Sequence, residues 1–329
     1  MTDRSMVTQG FYLQKETTPG DPVTSAMRRY LGLRVNPGWN VETQEFRAAG
    51  YKTNTVTQAV SESGQHTVET VQDFNALLPI LASVLTYDGV TSAGTDAYEH
   101  TFSLNAKGED DLTTFTGIYG DSAQALQLAY FVFNSLSIGI QRGSLTLDTS
   151  AISYEPETGA TVPTVGVEEI KAVPLPARGY DVFIDDAWAD LGTTKVRPYE
   201  GNLTIGDKRA PASPIDSSVT SFAMLLENED IDFSGSIRPG FNPEALALQT
   251  AYKAGASKFL RFANVGPEIE AGVNYELEID VSVKVQSPGE ISAAPNAPVV
   301  TLPFNYLVMP DDVSGNTLTV RLVNDVPTL

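Results

Sequence analysis

Two histidines, His66 and His100, are the only imidazoles in 329 residues, and the chain has no cysteine. Imidazole is the commonest general base and metal ligand, so acid–base or metal chemistry would rest on these two groups or on carboxylates alone. Thiolate nucleophiles and disulfides are excluded. Each histidine stands by itself in a strand-like stretch and reads as an ordinary surface or sheet residue. Carboxylates concentrate in two runs, Glu109-Asp110-Asp111 and Glu227-Asn228-Glu229-Asp230-Ile231-Asp232. Neither has the spacing, glycine and closing glutamate of a dedicated calcium loop, so both read as solvated turns. Paired carboxylates could serve glycoside hydrolysis. Trp39 and Trp188, however, lie in unrelated contexts, and Tyr130-Phe131-Val132-Phe133 reads as core or interface packing. No phosphate loop, dinucleotide fingerprint, metalloprotease helix or nucleophile elbow occurs. The expectation is a protein that is no enzyme and takes no cofactor or metal.

Charge narrows the choice of partners. The chain carries 41 acidic and 21 basic residues, a net −20. Residues 1–165 hold 18 acids and 9 bases and residues 166–329 hold 23 and 12, so the acid is spread over the whole chain. Such a surface repels phosphate backbones and argues against tight nucleic-acid binding. The basic trio Arg28, Arg29 and Arg34 reads as rim charge. Met1-Thr2-Asp3-Arg4 opens without an apolar stretch, and no run approaches the roughly 20 apolar residues that span a bilayer. Folding in a cytoplasm without a membrane span is therefore expected.

The elements that would position these residues are mostly strands. Glu16-Thr17-Thr18-Pro19-Gly20-Asp21-Pro22-Val23 reads as an extended arm with a turn at Pro19-Gly20. Thr53 to Val60, His66 to Val71, Tyr98 to Leu104 and Leu112 to Tyr119 have strand composition. A hairpin is expected from Phe131 to Leu147 around Gln141-Arg142-Gly143. Its apolar residues change phase at Asn134-Ser135, which predicts a bulge or a twist between two packing surfaces. In the second half Ser221 to Leu226, Ile231 to Ile237, Phe259 to Phe262, Thr301 to Leu307 and Leu318 to Val323 read as strands. Tyr275, Leu277, Ile279, Val281, Val283 and Val285 alternate with Glu276, Glu278, Asp280, Ser282 and Lys284. This predicts one long strand with a dry face and a wet, acidic one.

Two helices are expected. The first spans Ala76 to Leu85 with Asn75 as its cap and Pro79 at the edge of its first turn. The second has Asn242 as cap, Pro243 first, Lys253 near its end and Gly255 just past it. Phe74-Asn75-Ala76-Leu77-Leu78 and Phe241-Asn242-Pro243-Glu244-Ala245-Leu246 both follow a strand and precede long alternating strands. That repetition suggests a duplicated unit suited to a symmetric assembly. Proline-rich residues 155–178 mark the boundary. The expected organisation is an N-terminal arm (1–28), a first domain (29–160), a linker (161–178) and a second domain (179–329).

The arm Glu16 to Thr24, the segment Arg29-Tyr30-Leu31-Gly32-Leu33-Arg34-Val35, Gly64 to Val71, Phe74 to Leu85, Phe241-Asn242-Pro243-Glu244 and the strand Thr317 to Val323 together resemble the tail tube (major tail) proteins of long-tailed, siphovirus-like bacteriophages. The likeness is one of patterns across nearly the whole chain. It departs from the family in its acidity and around residues 155–215.

The resemblance implies a mostly β fold with two tandem tube-like β-sandwich or barrel domains, each flanked by one α-helix. It also implies a structural virion protein, assembled in the host cytoplasm, whose stacked rings form the tail channel for DNA ejection. Its partners would be further copies of itself, as a trimer with pseudo-sixfold symmetry or a hexamer, with a tape measure protein and a tail terminator. Double-stranded DNA would pass without specific binding. Glu276, Glu278 and Asp280 are the candidate lumen-facing residues, and Phe11, Tyr12 and Leu13 the candidate inter-ring arm. The alternatives are a β-sandwich binding module, such as an adhesin or carbohydrate-binding protein, and a capsid or decoration protein.

Overall fold

A computed structural model describes residues 9–70, 72–141, 144–214, 221–229, 231–294 and 298–329. The opening Met1-Thr2-Asp3-Arg4, Val71, the turn residues Arg142 and Gly143, and Asp230 of the second acidic run lie outside the described residues.

Strands β1 (Gly10–Lys15), β2 (Arg28–Tyr30), β3 (Leu33–Asn36), β4 (Trp39–Phe46) and β5 (Val56–Thr70) lead to helix α1 (Phe74–Val84). Then follow β6 (Thr86–Ser92), β7 (Tyr98–Ser103), β8 (Phe115–Asp121), β9 (Gln124–Phe133), β10 (Leu136–Gln141), β11 (Ser144–Ser153), β12 (Glu157–Ala160) and β13 (Glu168–Ile170). The second half holds β14 (Tyr180–Asp185), β15 (Lys195–Val196), β16 (Glu200–Ile205), β17 (Arg209–Ala212), β18 (Met224–Glu227), β19 (Phe233–Arg238) and helix α2 (Pro243–Ala254). It closes with β20 (Ser257–Glu270), β21 (Val273–Pro288), β22 (Ser292–Ala293), β23 (Val300–Thr301), β24 (Phe304–Val308) and β25 (Leu318–Asn324). The fold is mostly β, as its Thr- and Val-rich alternating stretches dictate.

Three layers result. The first runs β6–β7–β25–β21–β20–β14–β15. The second runs β21–β24–β19–β16–β10–β11–β5, with β3 and β4 following each other along the outer edge of β5. The third runs β13–β2–β1–β8–β9–β12. β21 serves two layers because Glu276–Val281 pair with β25 while residues from Val283 onward pair with β24. At Asn134-Ser135 the chain leaves β9 in the third layer and enters β10 in the second, which is the twist the phase change anticipates.

Helix α1 is the centre of the core. All eleven of its residues are buried, because it packs against β9, β25, β6, β21 and β7. Burying Leu77, Leu78, Ile80, Leu81 and Val84 stabilises by about 1.5–3 kcal/mol each. An aspartate at Ile80 would break this packing. The cap is Asp73 and not Asn75: the Asp73 carboxylate accepts the Asn75 N–H at 3.0 Å and the Val173 N–H at 2.7 Å. Pro79 consequently sits at the sixth helical position, deeper than the sequence suggests. Asn75 turns to tertiary work, donating to the Lys171 carbonyl and to Asp325. Helix α2 matches its expected signals, with Asn242 capping Ala245, Pro243 first and Gly255 in the left-handed conformation at φ 63°. It buries only Ala245, Leu248 and Ala251 and lies at the surface against β21.

The order strand, helix, antiparallel hairpin occurs twice, as β5–α1–β6–β7 and β19–α2–β20–β21. β25 lies between the two hairpins, paired with β7 on one side and β21 on the other. Residues 161–178, expected as a linker, carry β13 in parallel with β2 and contribute Val162, Ile170, Val173 and Leu175 to the packed interior. β10 pairs with β16, and one core cluster draws on residues from Phe11 to Val326.

The expected turn forms at Pro19-Gly20: Asp21 N–H donates to the Thr18 carbonyl, with Gly20 at φ 83°. The candidate arm residues are placed differently from the expectation. β1 pairs with β8 and β2, Phe11 and Leu13 are buried in their own chain's core, and half-buried Tyr12 lies 5.9 Å from the Arg29 guanidinium. The apolar side chains that lacked a partner in the sequence find one in α1's core. Among the described residues, no helix is long and apolar enough to cross a membrane.

Candidate functional site

The outer face of the first layer gathers the charged residues. Period-2 alternation along β21 sends Tyr275, Leu277, Ile279 and Val281 into the core, each 2% exposed or less. Glu276, Glu278 and Asp280 share the opposite face. The structure brings these three candidates together, but they do not form a bare acidic wall. Arg261 on β20 grips Asp280 with two bonds of 2.6 Å and approaches Glu278 at 3.7 Å. Arg321 on β25 donates to Glu99 at 2.6 Å, to Glu276 at 2.7 Å and to Glu278 at 3.5 Å. Partial burial works against the Arg321 charge, but Glu276 and Glu99 outweigh it and raise its pKa. Four carboxylates against two guanidiniums leave this ladder net acidic. Further along the face Lys195 pairs with Asp181 at 2.6 Å.

Neither histidine is at the surface: both are buried. His66 Nδ1 accepts the Gly38 N–H at 3.2 Å, so Nε2 carries the proton and donates to Ser153 Oγ at 2.8 Å. The Ser153 hydroxyl in turn donates to the Tyr154 carbonyl at 2.5 Å. A serine that receives a hydrogen bond from imidazole cannot be deprotonated by it, so this pair is no nucleophile and base. Burial lowers the His66 pKa to about 4. Burial also lowers the His100 pKa, with the Tyr87 hydroxyl on Nδ1 at 3.0 Å and the Val326 carbonyl on Nε2 at 2.8 Å.

The acidic runs are corrected in part. Asp110 and Glu227 do not face water but meet in a buried network. The Lys208 ammonium, 1% exposed, bonds Asp110 and the Val84 carbonyl at the end of α1. Arg209 donates to the Asp110 carbonyl at 2.7 Å, and Glu227 accepts the Asp110 N–H at 2.8 Å. Glu109, Asp111 and Glu229 remain exposed. Among the described residues, no group of three or more histidine, aspartate or glutamate side chains is placed to hold a metal ion.

The basic trio divides. Arg28 and Arg29 pair with Glu168 and Glu169 at 2.9 Å each, across the β2–β13 register, and Arg34 stays at the surface. Tyr130 to Phe133 are buried, as core packing requires. Trp39 is exposed on β4, while Trp188 packs edge-on against Phe259.

Sequence reasoning missed the ribbon β4–β5. Among the described residues, residues 56–63 of β5 pair with β4 alone, and β4 has one unpaired edge. Nearly every residue from Val41 to Val60 is exposed, including Phe46, Tyr51, Val56 and Val60. Its signal was there: two polar stretches around Ala48-Ala49-Gly50 with no dry face on either. It also missed Glu16, a buried carboxylate that accepts from Thr114, Thr116, the Gly20 N–H and the Tyr130 N–H at 2.8–2.9 Å.

No protein-family model matches this chain, and no curated protein matches it.

Proposed function

We propose that this chain is a structural protein that binds copies of itself, stacking as rings into the tail tube of a long-tailed bacteriophage. The observation that carries this reading is the β4–β5 ribbon. A strand edge with unpaired backbone and exposed apolar side chains is a liability in a free monomer. A two-stranded ribbon alone is also marginally stable in water. Both costs vanish when the ribbon packs on a neighbouring copy. The first layer likewise ends in two open strands, β6 and β15, each paired on one side only among the described residues.

The charged face of β21 suits a channel wall. Phosphates held by cations would retain the genome through counterion release, whereas a net acidic ladder gives DNA nothing to hold. Its arginines are already engaged by carboxylates. Rings of three copies with pseudo-sixfold symmetry, or of six, and the partnership with a tape measure protein and a tail terminator follow from the resemblance.

A second reading, a carbohydrate-binding module, has one observation in its favour. Trp39, 52% exposed, stands opposite Gly64 on the ribbon and leaves an indole face open.

Negative-stain electron microscopy of the purified protein over a concentration series tests the proposal. Hollow tubes or rings with a central channel are expected, and their symmetry distinguishes three copies from six. Dispersed monomers throughout the series, with binding to an oligosaccharide array, would replace it with the second reading.

A further inference from the structure

Strands β17 and β18 form a two-stranded hairpin outside the three layers. Their register sets Ala210 opposite Leu226 and Ala212 opposite Met224, so these four share one face. Leu225 points the other way, into a cluster with Tyr130, Tyr154 and Phe222. Met224 is 49% and Leu226 45% exposed. The platform is also held in place. Lys208 and Arg209 are buried and tied to Asp110, and the Leu225 N–H donates to the Tyr130 hydroxyl at 3.3 Å. Since both bases are spent inside with Glu227, the exposed charges beside the platform among the described residues are Asp207 and Glu229. It is an apolar face with an acidic rim.

The tip of the β4–β5 ribbon has the opposite character. Phe46 and Val56 form a cross-strand pair on one face, with Tyr51 in the turn. The only charges from Phe46 to Val56 are Arg47 and Lys52. Both are exposed, and neither makes an ion pair among the described residues. Glu45, which accepts from Asn54 of the turn, is the adjacent acid, so the tip is net cationic in a chain of net charge −20. The eight residues 56–63 carry it roughly 26 Å outward at about 3.3 Å per residue.

We infer that the ribbon tip of one copy docks on the β17–β18 platform of the next, Phe46, Tyr51 and Val56 covering Met224 and Leu226 while Arg47 and Lys52 meet the acidic rim. This deepens the self-assembly reading and rests on it. A second copy is the occupant because only the same chain supplies both complements: an anionic polymer would suit the tip and be repelled by the platform. Tip and platform are different surfaces, so the contact is head-to-tail and propagates into a ring or a stack.

The absence of cysteine makes the test clean. Tyr51→Cys and Met224→Cys are each made as a single variant, both at exposed positions, mixed and oxidised in air. The expected product is a 51–224 cross-linked heterodimer in large excess over 51–51 and 224–224 dimers. Same-site dimers alone, or no cross-link at concentrations where the wild type self-associates, would overturn the contact.

A second measurement uses charge. Arg47→Glu with Lys52→Glu should raise the concentration needed for self-association by about fivefold or more. Asp207→Lys with Glu229→Lys in the same chain should restore it. Indifference to both substitutions would also overturn the contact. Cross-links without rings or tubes would keep the contact and remove the tube. Tubes indifferent to every variant would keep the tube and remove the contact, and a protein that never self-associates loses both.

Discussion

Arg321 donates from Nε to Glu99 at 2.6 Å, a bond that joins the last strand of the chain to one laid down 222 residues earlier. The same guanidinium reaches Glu276 at 2.7 Å, so one cation ties both hairpins to the strand between them.

Replacing that cation should cost little in magnitude but have a distinctive salt signature. Arg321→Met leaves Glu99, Glu276 and Glu278 facing one another. Because about a third of each side chain meets solvent, the expected loss is only about 1 kcal/mol. Added salt screens the new repulsion, so the gap in melting temperature between variant and wild type should narrow at about 1 M NaCl. Equal melting temperatures at low salt would show that the ladder contributes nothing to stability.

The channel assignment predicts a functional defect without an assembly defect. Glu99→Gln, Glu276→Gln and Glu278→Gln together keep acceptors for Arg321 but leave Asp280 alone against two arginines. A net cationic wall should slow DNA release from assembled particles while tubes form normally. Release at the wild-type rate would remove β21 from the channel.

Two buried groups oppose each other in acid. The folded pKa of His66 is lowered to about 4 by burial, below its ordinary 6.5. The unfolded chain binds the extra proton, and stability falls by about 3 kcal/mol as pH drops from 6.5 to 4. The Asp73 pKa is raised to about 6 by burial, above its ordinary 3.8. Here the folded chain binds the extra proton, and stability rises by about 3 kcal/mol over nearly the same window. Asp73→Asn keeps an acceptor for the α1 cap and removes only the second effect. Its unfolding free energy should exceed that of wild type at pH 7 and fall steeply toward pH 4, with His100 adding in the same direction. A variant whose stability falls no more steeply than that of the wild type would refute the compensation.

The buried network at Lys208 should be the costliest to break. Lys208→Met removes the ammonium from Asp110, which is buried and then faces no cation at bonding distance. The expected loss is about 3–5 kcal/mol in urea unfolding. A loss below about 1 kcal/mol would mean that water or Arg209 takes over the charge.

Several features were legible because their causes are local. The alternation from Tyr275 to Val285 needs only the period of a strand to separate its faces, and β21 follows it. Asn242, Pro243 and Gly255 bound α2 through backbone rules that act within a turn. The phase change at Asn134-Ser135 marks where the chain passes between layers, since a strand cannot change its inward face without a break. The Pro19-Gly20 turn is equally local.

Other features depended on segments far apart. Asp73 displaces Asn75 as the α1 cap because the Val173 N–H, a hundred residues on, shares the same carboxylate oxygen. Phe11 and Leu13 looked unpartnered because their partners are β8 and the α1 core. Asp110 and Glu227 looked solvated because nothing nearby in sequence announces Lys208. The sequence by itself determined a mostly β chain with two strand–helix–hairpin units, one acidic strand face and no thiol or phosphate-loop chemistry, because composition and short-range periodicity suffice for these. Only the tertiary structure decided which arginines engage that face, which charges are buried and which ribbon stands free, because pairing between distant strands is set by the packing of the whole core and by no local pattern.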